Sequence, residues 1–144
     1  MPDAGAYGHG LANADTLDPA MLVRRDAFYP HAQPLLSKLA SIGHPHTAHK
    51  TMELLAYLSP VDPAGTLLLA GTLIRVAALR GYQYDPLAEP LVVGYVERFL
   101  AEHRSVLRER ADCNRALVDI LDVFVRVGWP SAHRLVYRLD EIYR

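Results

Sequence analysis

The fold of this chain depends on one stretch, DPAGTLLLAGTLIRVAALR, which spans residues 62–80. Asp62 followed by Pro63 is typical of a helix N-cap with proline as the first helical residue. The residues that follow are apolar on nearly every side, with Gly71, Thr72 and Arg75 as the interruptions. A helix of this kind is surrounded by other helices, so the stretch predicts the central helix of a helical protein.

The same stretch is too short to cross a membrane. Its most apolar part covers residues 67–79, whereas a bilayer-spanning helix needs about 20 residues. Residues 1–10 contain no basic segment followed by an apolar run, so no secretory signal is predicted. Cys113 is the single cysteine and has no partner for an internal disulfide. Together these features predict a cytoplasmic protein.

The composition is that of one globular domain. The chain has 144 residues, of which 51% are hydrophobic and 22% charged, enough apolar material for a packed core. A formal net charge of -1 argues against a strongly basic nucleic-acid binder and against an acidic tail. Lys38 and Lys50 are the only lysines among 15 basic residues, a bias that favours a bacterial source with a GC-rich genome.

Helical periodicity continues on both sides of the central stretch. No run of β-branched and aromatic residues alternates with period two, so the sequence predicts an all-α fold. Residues 1–16 are predicted to form a mobile tail, and residues 17–144 a single domain of six to seven helices. The predicted helices span residues 19–28, 31–41, 46–58, 63–80, 85–107 and 112–127, with a last one from 130 onward.

A joint between helices occurs twice. The segment IGHPHTA at residues 42–48 resembles VGWPSA at residues 127–132, allowing one inserted residue. Each contains a glycine that can end a helix, a proline that forces the turn and a residue that can cap the next helix, Thr47 or His46 in the first copy. This echo favours antiparallel helix pairs stacked as a short HEAT-like α-solenoid, with residues 63–80 and 85–107 as the divergent middle pair. An irregular helical bundle is the alternative.

His44, His46 and His49 are the weak candidates for a metal site. Glu53 follows one helical turn after His49, but no second carboxylate or thiolate lies nearby in sequence. A metal ion needs several such donors converging at about 2.0 to 2.2 Å. We interpret these residues as ordinary surface histidines, and metal binding is the alternative.

Arginines concentrate around the end of the predicted 85–107 helix, and carboxylates are interleaved with them. Such a mixed row is typical of a solvated, ion-paired face, although contact with nucleic acid is a further alternative. The arginines of this cluster are Arg98, Arg104, Arg108, Arg110 and Arg115. Asp119 and Asp122, and the adjacent Asp140 and Glu141, are interpreted as surface charge.

Aromatic residues stand at the predicted helix joints. Tyr82, Tyr84 and Trp129 either plug the core there or, where exposed, serve as anchors for a binding partner. With Arg104 and Arg108 they are the predicted interaction residues.

Parts of the chain resemble the C-terminal helical region of large bacterial ATP-binding proteins, in which helical repeats follow a nucleotide-binding part. The resemblance covers residues 44–144 and rests on GYQY at 81–84, YVERFLAE at 95–102 and GWPSA at 128–132. It implies a regulatory or recognition module that is a separated or truncated tail. The nucleotide site of that family has no counterpart here, so ATP binding is not implied.

Motifs of common catalytic and cofactor sites are absent from the sequence. It contains no GxxxxGK[ST] phosphate loop, no GxGxxG after a strand and no GxSxG elbow. Asp112 next to Cys113 raises the pKa of a thiol, which argues against a nucleophile. We therefore expect a non-enzymatic module without cofactor that binds a protein partner, belongs to a larger assembly or self-associates.

Overall fold

The computed structural model describes residues 19–80 and 88–128, together with residues 134, 135, 137 and 138. This part of the chain contains helices and no strand, so the predicted all-α fold is confirmed. The helices are α1 (Pro19–Ile42), α2 (Pro45–Leu58), α3 (Pro63–Leu79), α4 (Ala88–Glu102), α5 (Arg104–Glu109) and α6 (Ala111–Val127).

The two ends of the chain lie mostly outside the described residues. The predicted tail at residues 1–16 lies entirely outside them, as does most of the helix predicted from residue 130 onward. Within that last segment, residues 134, 135, 137 and 138 have helical backbone. Leu135 is fully buried, whereas Arg134 and Arg138 are exposed, as the predicted amphipathic pattern requires.

Helix α1 is continuous where two helices were predicted, at residues 19–28 and 31–41. It spans 24 residues and contains both Pro30 and Pro34. Both prolines are exposed, so the carbonyl groups that lose their helical partners face solvent. The N–H that is missing at Pro34 would have bonded the carbonyl of Pro30, one turn earlier. The two missing hydrogen bonds therefore follow one another along the same exposed side of the helix. The prediction of a break at Pro30 was therefore wrong.

The turn from α1 to α2 uses the predicted glycine and a different cap. Gly43 has φ +58°, and a Cβ atom there would lie 2.5 Å from Cγ1 of Val76, so only glycine fits. His44 is the N-cap of α2, since its Nδ1 accepts the backbone N–H of His46 at 3.1 Å. The prediction of Thr47 or His46 as the cap was wrong because Pro45 already begins the helix. The helical spacing of Ala48, Met52, Leu55 and Leu58 in the sequence predicts a buried stripe on α2, and all four residues are buried.

A break divides the helix predicted at residues 85–107. Helix α4 ends at Glu102, and His103 adopts φ −127° and ψ 29° before α5 begins. The ring of His103 packs against Phe99 with centroids 5.5 Å apart, and α5 turns to pack on α6 with Leu107 buried. The sequence also predicts an apolar face on α4 from the helical spacing of its large side chains, and this face is buried. Its residues are Val92, Tyr95, Val96, Phe99 and Leu100.

Helix α3 is the centre of the fold, as predicted. It packs against α1, α2 and α6. Asp62 caps it, and its Oδ1 accepts the backbone N–H of Gly65 at 2.9 Å. The closest approach is to α6, where a Cβ atom on Gly71 would lie 3.0 Å from Cβ of Ala116. Two small residues therefore allow the α3 and α6 backbones to come almost into contact.

Helices α3 and α6 run parallel. At their N-terminal ends the thiol of Cys113 lies 3.8 Å from the carbonyl oxygen of Ala64. Gly71 and Ala116 meet further along, and the last turns of both helices line one groove. Matching ends therefore lie side by side.

Helix α1 extends the same row on the other side of α3. Its Tyr29 hydroxyl donates to Asp62 at the start of α3, and Nη1 of Arg80 donates to the carbonyl of Ile42 at the opposite end. Helix α2 runs the other way, because Arg25 near the start of α1 bonds the carbonyl of Tyr57 near the end of α2. Helices α1, α3 and α6 thus form a parallel row, with α2 antiparallel to it.

The two helices of the predicted middle pair, which correspond to α3 and α4, do not pack mainly against each other. Helix α4 packs mainly on α2 and α5, whereas α3 packs mainly on α1, α2 and α6. The apolar surface of α3 is used by these three neighbours, so little of it is available to α4.

None of the described helices combines the length and hydropathy that a bilayer-spanning segment requires.

We expect Gly71→Val to lower the free energy of unfolding by about 1–3 kcal/mol, because the added methyl groups press on the backbone of Ala116. Gly94→Val is the matched control, since Gly94 also lies within a helix but a Cβ atom there meets nothing within 4 Å. Urea unfolding of both variants measures the difference. Equal stability of the two variants would contradict the close approach of α3 and α6.

Candidate interaction site

The three candidate metal-ligating histidines are each engaged elsewhere. His44 caps α2 through Nδ1 and stacks on His46, with ring centroids 5.1 Å apart. His49 points along the helix to Glu53, with Nε2 2.9 Å from Oε1. Among the described residues, no group of three or more His, Cys, Asp or Glu side chains is arranged to hold a metal ion.

The predicted arginine cluster is spread over three helices. Arg98 lies half-buried on α4, while Arg104 and Arg108 lie exposed at the two ends of the short helix α5. Arg110 forms a two-pronged pair with Asp112, with distances of 3.1 and 2.7 Å, and holds the pKa of that carboxyl below its usual range. Arg115 pairs with Asp119 at 3.4 Å. Arg110 and Arg115 are therefore ion-paired, which is consistent with the interpretation of this row as a solvated, ion-paired face.

Tyr82, Tyr84 and Trp129 lie outside the described residues, and so do Asp140 and Glu141. The candidate site is consequently built from other side chains.

Cys113 is a core residue of α6. Its side chain is fully buried, and burial raises the pKa of the thiol, with the Asp112 carboxylate adding to the increase. The predicted direction of the shift is confirmed, although the main cause is burial and not the neighbouring carboxylate.

A groove of about 560 Å³ lies between the C-terminal half of α3 and the side of α6 that runs from Arg115 to Val127. It forms beyond the tight contact of Gly71 with Ala116, where larger side chains follow on both helices. Arg75, Ala78 and Leu79 line it from α3. The lining residues on α6 are Arg115, Asp119, Asp122, Val123, Arg126 and Val127.

The charges of the groove are unequal. Two ion pairs along α6 neutralise its own side, Arg115 with Asp119 and Arg126 with Asp122, the latter at 2.9 Å. Arg75 on α3 is exposed and has no ion-pair partner in the part of the chain that the structure describes. Three arginines thus face two aspartates, and the free guanidinium is available to a carboxylate from outside.

Apolar side chains stand beside this guanidinium. Leu79 is 76% exposed and Val127 is 42% exposed, and both belong to the last turns of their helices. The sequence pattern placed Leu79 in the buried central helix and did not mark it for binding. Leu79, Val127 and Arg75 are therefore all exposed at the same groove.

A cluster of buried polar side chains lies at the opposite, N-terminal end of the row formed by α1, α3 and α6. The hydroxyl of Tyr29 donates to Oδ2 of Asp62 at 3.0 Å. Arg25 is only 2% exposed, and its guanidinium lies 4.8 Å from the centre of the Tyr57 ring while it donates to the carbonyl of that residue. The hydroxyl of Tyr95 is buried without a hydrogen bond that meets strict geometry, and burial raises its pKa. Nothing in the spacing of Arg25 along the sequence marks it as a buried charge.

Comparison with protein-family models, curated proteins and solved structures finds no match to this chain.

We expect Tyr29→Phe to lower the free energy of unfolding by about 2 kcal/mol at neutral pH, because Asp62 loses a hydrogen bond in a partly buried site. Burial, assisted by the hydrogen bond to Asp62 and its charge, raises the pKa of Tyr29 from 10.0 to about 12. A raised pKa means that the folded state holds the phenol proton more tightly than the unfolded state. The contribution is therefore full below pH 10 and is lost as the pH rises through about 12.

Urea unfolding of both proteins at several pH values measures this dependence. A difference in stability between wild type and variant that persists unchanged above pH 12 would contradict the assignment.

Proposed function

We propose that the chain is a non-enzymatic helical-repeat module that binds a protein partner through the groove between α3 and α6. The observation that carries the proposal is the pairing of the exposed Leu79 with the unpaired Arg75 at one groove. A partner that inserts an apolar side chain against Leu79 and Val127 and offers a carboxylate to Arg75 satisfies both features.

Two observations support a HEAT-like repeat. Helices α1, α3 and α6 lie parallel in one row with α2 antiparallel to α1, as the helices of successive stacked pairs do. Helix α4 departs from this arrangement, because it packs mainly on α2 and α5 and not on α3. Gly43 and Gly128 end α1 and α6 in the left-handed conformation, with φ +58° and +84°. The glycines of the two similar joints therefore have the same backbone role.

The resemblance to the helical region of bacterial ATP-binding proteins adds a context to the proposal. In that context the module is the tail of a larger cytoplasmic assembly in a bacterium, and the groove is a surface for recognition or regulation. The alternatives, metal binding by His44, His46 and His49 and nucleic-acid contact by the arginines, gain no support from the contacts of these residues.

We expect peptides selected on the folded protein from a displayed library of random linear peptides to bind this groove. Leu79→Asp and Arg75→Glu should each weaken the selected peptides about tenfold or more, because each removes one anchor of the site. Fluorescence anisotropy with labelled synthetic peptides measures the affinity, and circular dichroism checks that each variant remains folded.

Matched controls come from exposed residues away from the groove. Leu35→Asp places a charge on α1, where Leu35 is 59% exposed and does not line the groove, and Arg104→Glu reverses an exposed charge on α5. Both should leave the affinity within twofold. If the selected peptides bind the Leu79→Asp and Arg75→Glu variants with unchanged affinity but lose affinity for Arg104→Glu, the groove is not the binding site.

A further inference from the structure

A second exposed apolar feature lies on α1, away from the groove. Phe28, Leu35 and Ile42 are 49%, 59% and 51% exposed and follow one another at intervals of seven residues. Residues seven apart on an α-helix lie almost in line, so the three side chains form a stripe about 21 Å long. We call these three residues the α1 stripe.

The positions between these residues complete a helix-packing pattern. Ala32 and Leu39 are half-buried and follow Phe28 and Leu35 by four residues. The resulting alternation of four- and three-residue steps, from Phe28 to Ile42, is the spacing with which one helix packs along another. On this helix it faces solvent, whereas the buried contacts with α2 and α3 use a neighbouring sector that contains Tyr29 and Leu36.

Basic residues accompany the stripe on its solvent side. Arg24, His31 and Lys38 are also seven residues apart, and all three are exposed. None of them has an ion-pair partner in the part of the chain that the structure describes. Asp26, the carboxylate of α1, lies about 140° around the helix from this row.

We propose that the α1 stripe docks an amphipathic helix of a protein partner whose apolar positions repeat every three and four residues and whose flanking positions are acidic. The stripe supplies a linear apolar contact of helical spacing, and the unpaired basic row supplies the charge that acidic flanks complement. The inference concerns a surface different from the groove of the proposed function and does not depend on it.

The same charges disfavour a second copy as the occupant. If two copies pack antiparallel with Leu35 at the centre, Phe28 faces Ile42 of the other copy, and the apolar residues match. The rows of Arg24, His31 and Lys38 then lie on the same side of the contact, so a second copy offers no carboxylate to Arg24 or Lys38, whereas an acidic partner does.

The probe is a synthetic helical peptide of about 20 residues, with leucine at the two apolar positions of each heptad and glutamate at the flanking positions. A second peptide carries lysine in place of glutamate. Fluorescence anisotropy measures the affinity of both for the full chain. The acidic peptide should bind at least tenfold more tightly than the basic one, and the preference should decrease as salt is added.

Variants locate the binding surface. Leu35→Asp should weaken the acidic peptide about tenfold or more, and the double change Arg24→Glu with Lys38→Glu should reverse the preference between the peptides. Val125→Asp on α6 is the matched control, because Val125 is 50% exposed and apolar but lies away from α1. It should change nothing, and neither should Leu79→Asp in the groove.

Three results would overturn the proposal. The first is equal binding of the two peptides, or binding that survives Leu35→Asp in a variant shown to be folded by circular dichroism. The second is a dimer of the free protein that Leu35→Asp dissociates, which would assign the stripe to a second copy. The third is binding to phosphatidylserine vesicles that depends on Leu35 while the acidic peptide does not bind.

Discussion

The structure depends on the need to cover helix α3 on several sides at once. This helix is apolar around most of its circumference, and leaving it in water would expose side chains whose burial drives folding. It therefore packs against α1, α2 and α6, and the closest of these contacts is possible only because Gly71 and Ala116 are small. The parallel row of three helices follows from this requirement. The grooves and ends of the row, in turn, decide which side chains remain exposed.

The N-terminal and C-terminal ends of the row formed by α1, α3 and α6 differ in how their side chains pack. Its N-terminal end is closed by buried polar contacts, in which Tyr29 bonds Asp62 and Arg25 lies against Tyr57. At the C-terminal end α3 and α6 carry large side chains that do not pack together, so the groove with Leu79 opens. The buried polar contacts at one end and the groove at the other therefore belong to the same row of helices, and the proposed function uses only the groove end.

Periodicity and capping residues predicted most of the fold but little of the site. The apolar stretch at residues 62–80, the stops at Gly43 and Gly128 and the buried faces of α2 and α6 were all readable, because each is a local pattern. The continuity of α1 through Pro30 was not, because it depends on which side of the helix the rings face. Neither the burial of Arg25 nor the exposure of Leu79 could be predicted, since both depend on which helices become neighbours. His44, His46 and His49 stood out in the sequence yet are engaged in a cap, a stack and a contact with Glu53.

The close contact of α3 with α6 is the feature on which the row, the groove and the proposed function all depend. The most direct test is a nuclear Overhauser measurement in solution between the α-protons of Gly71 and the methyl group of Ala116. The close approach of these residues predicts a strong cross-peak, because a Cβ atom on Gly71 would lie 3.0 Å from that methyl carbon. Absence of the cross-peak, with both signals assigned and the protein folded, would contradict the account.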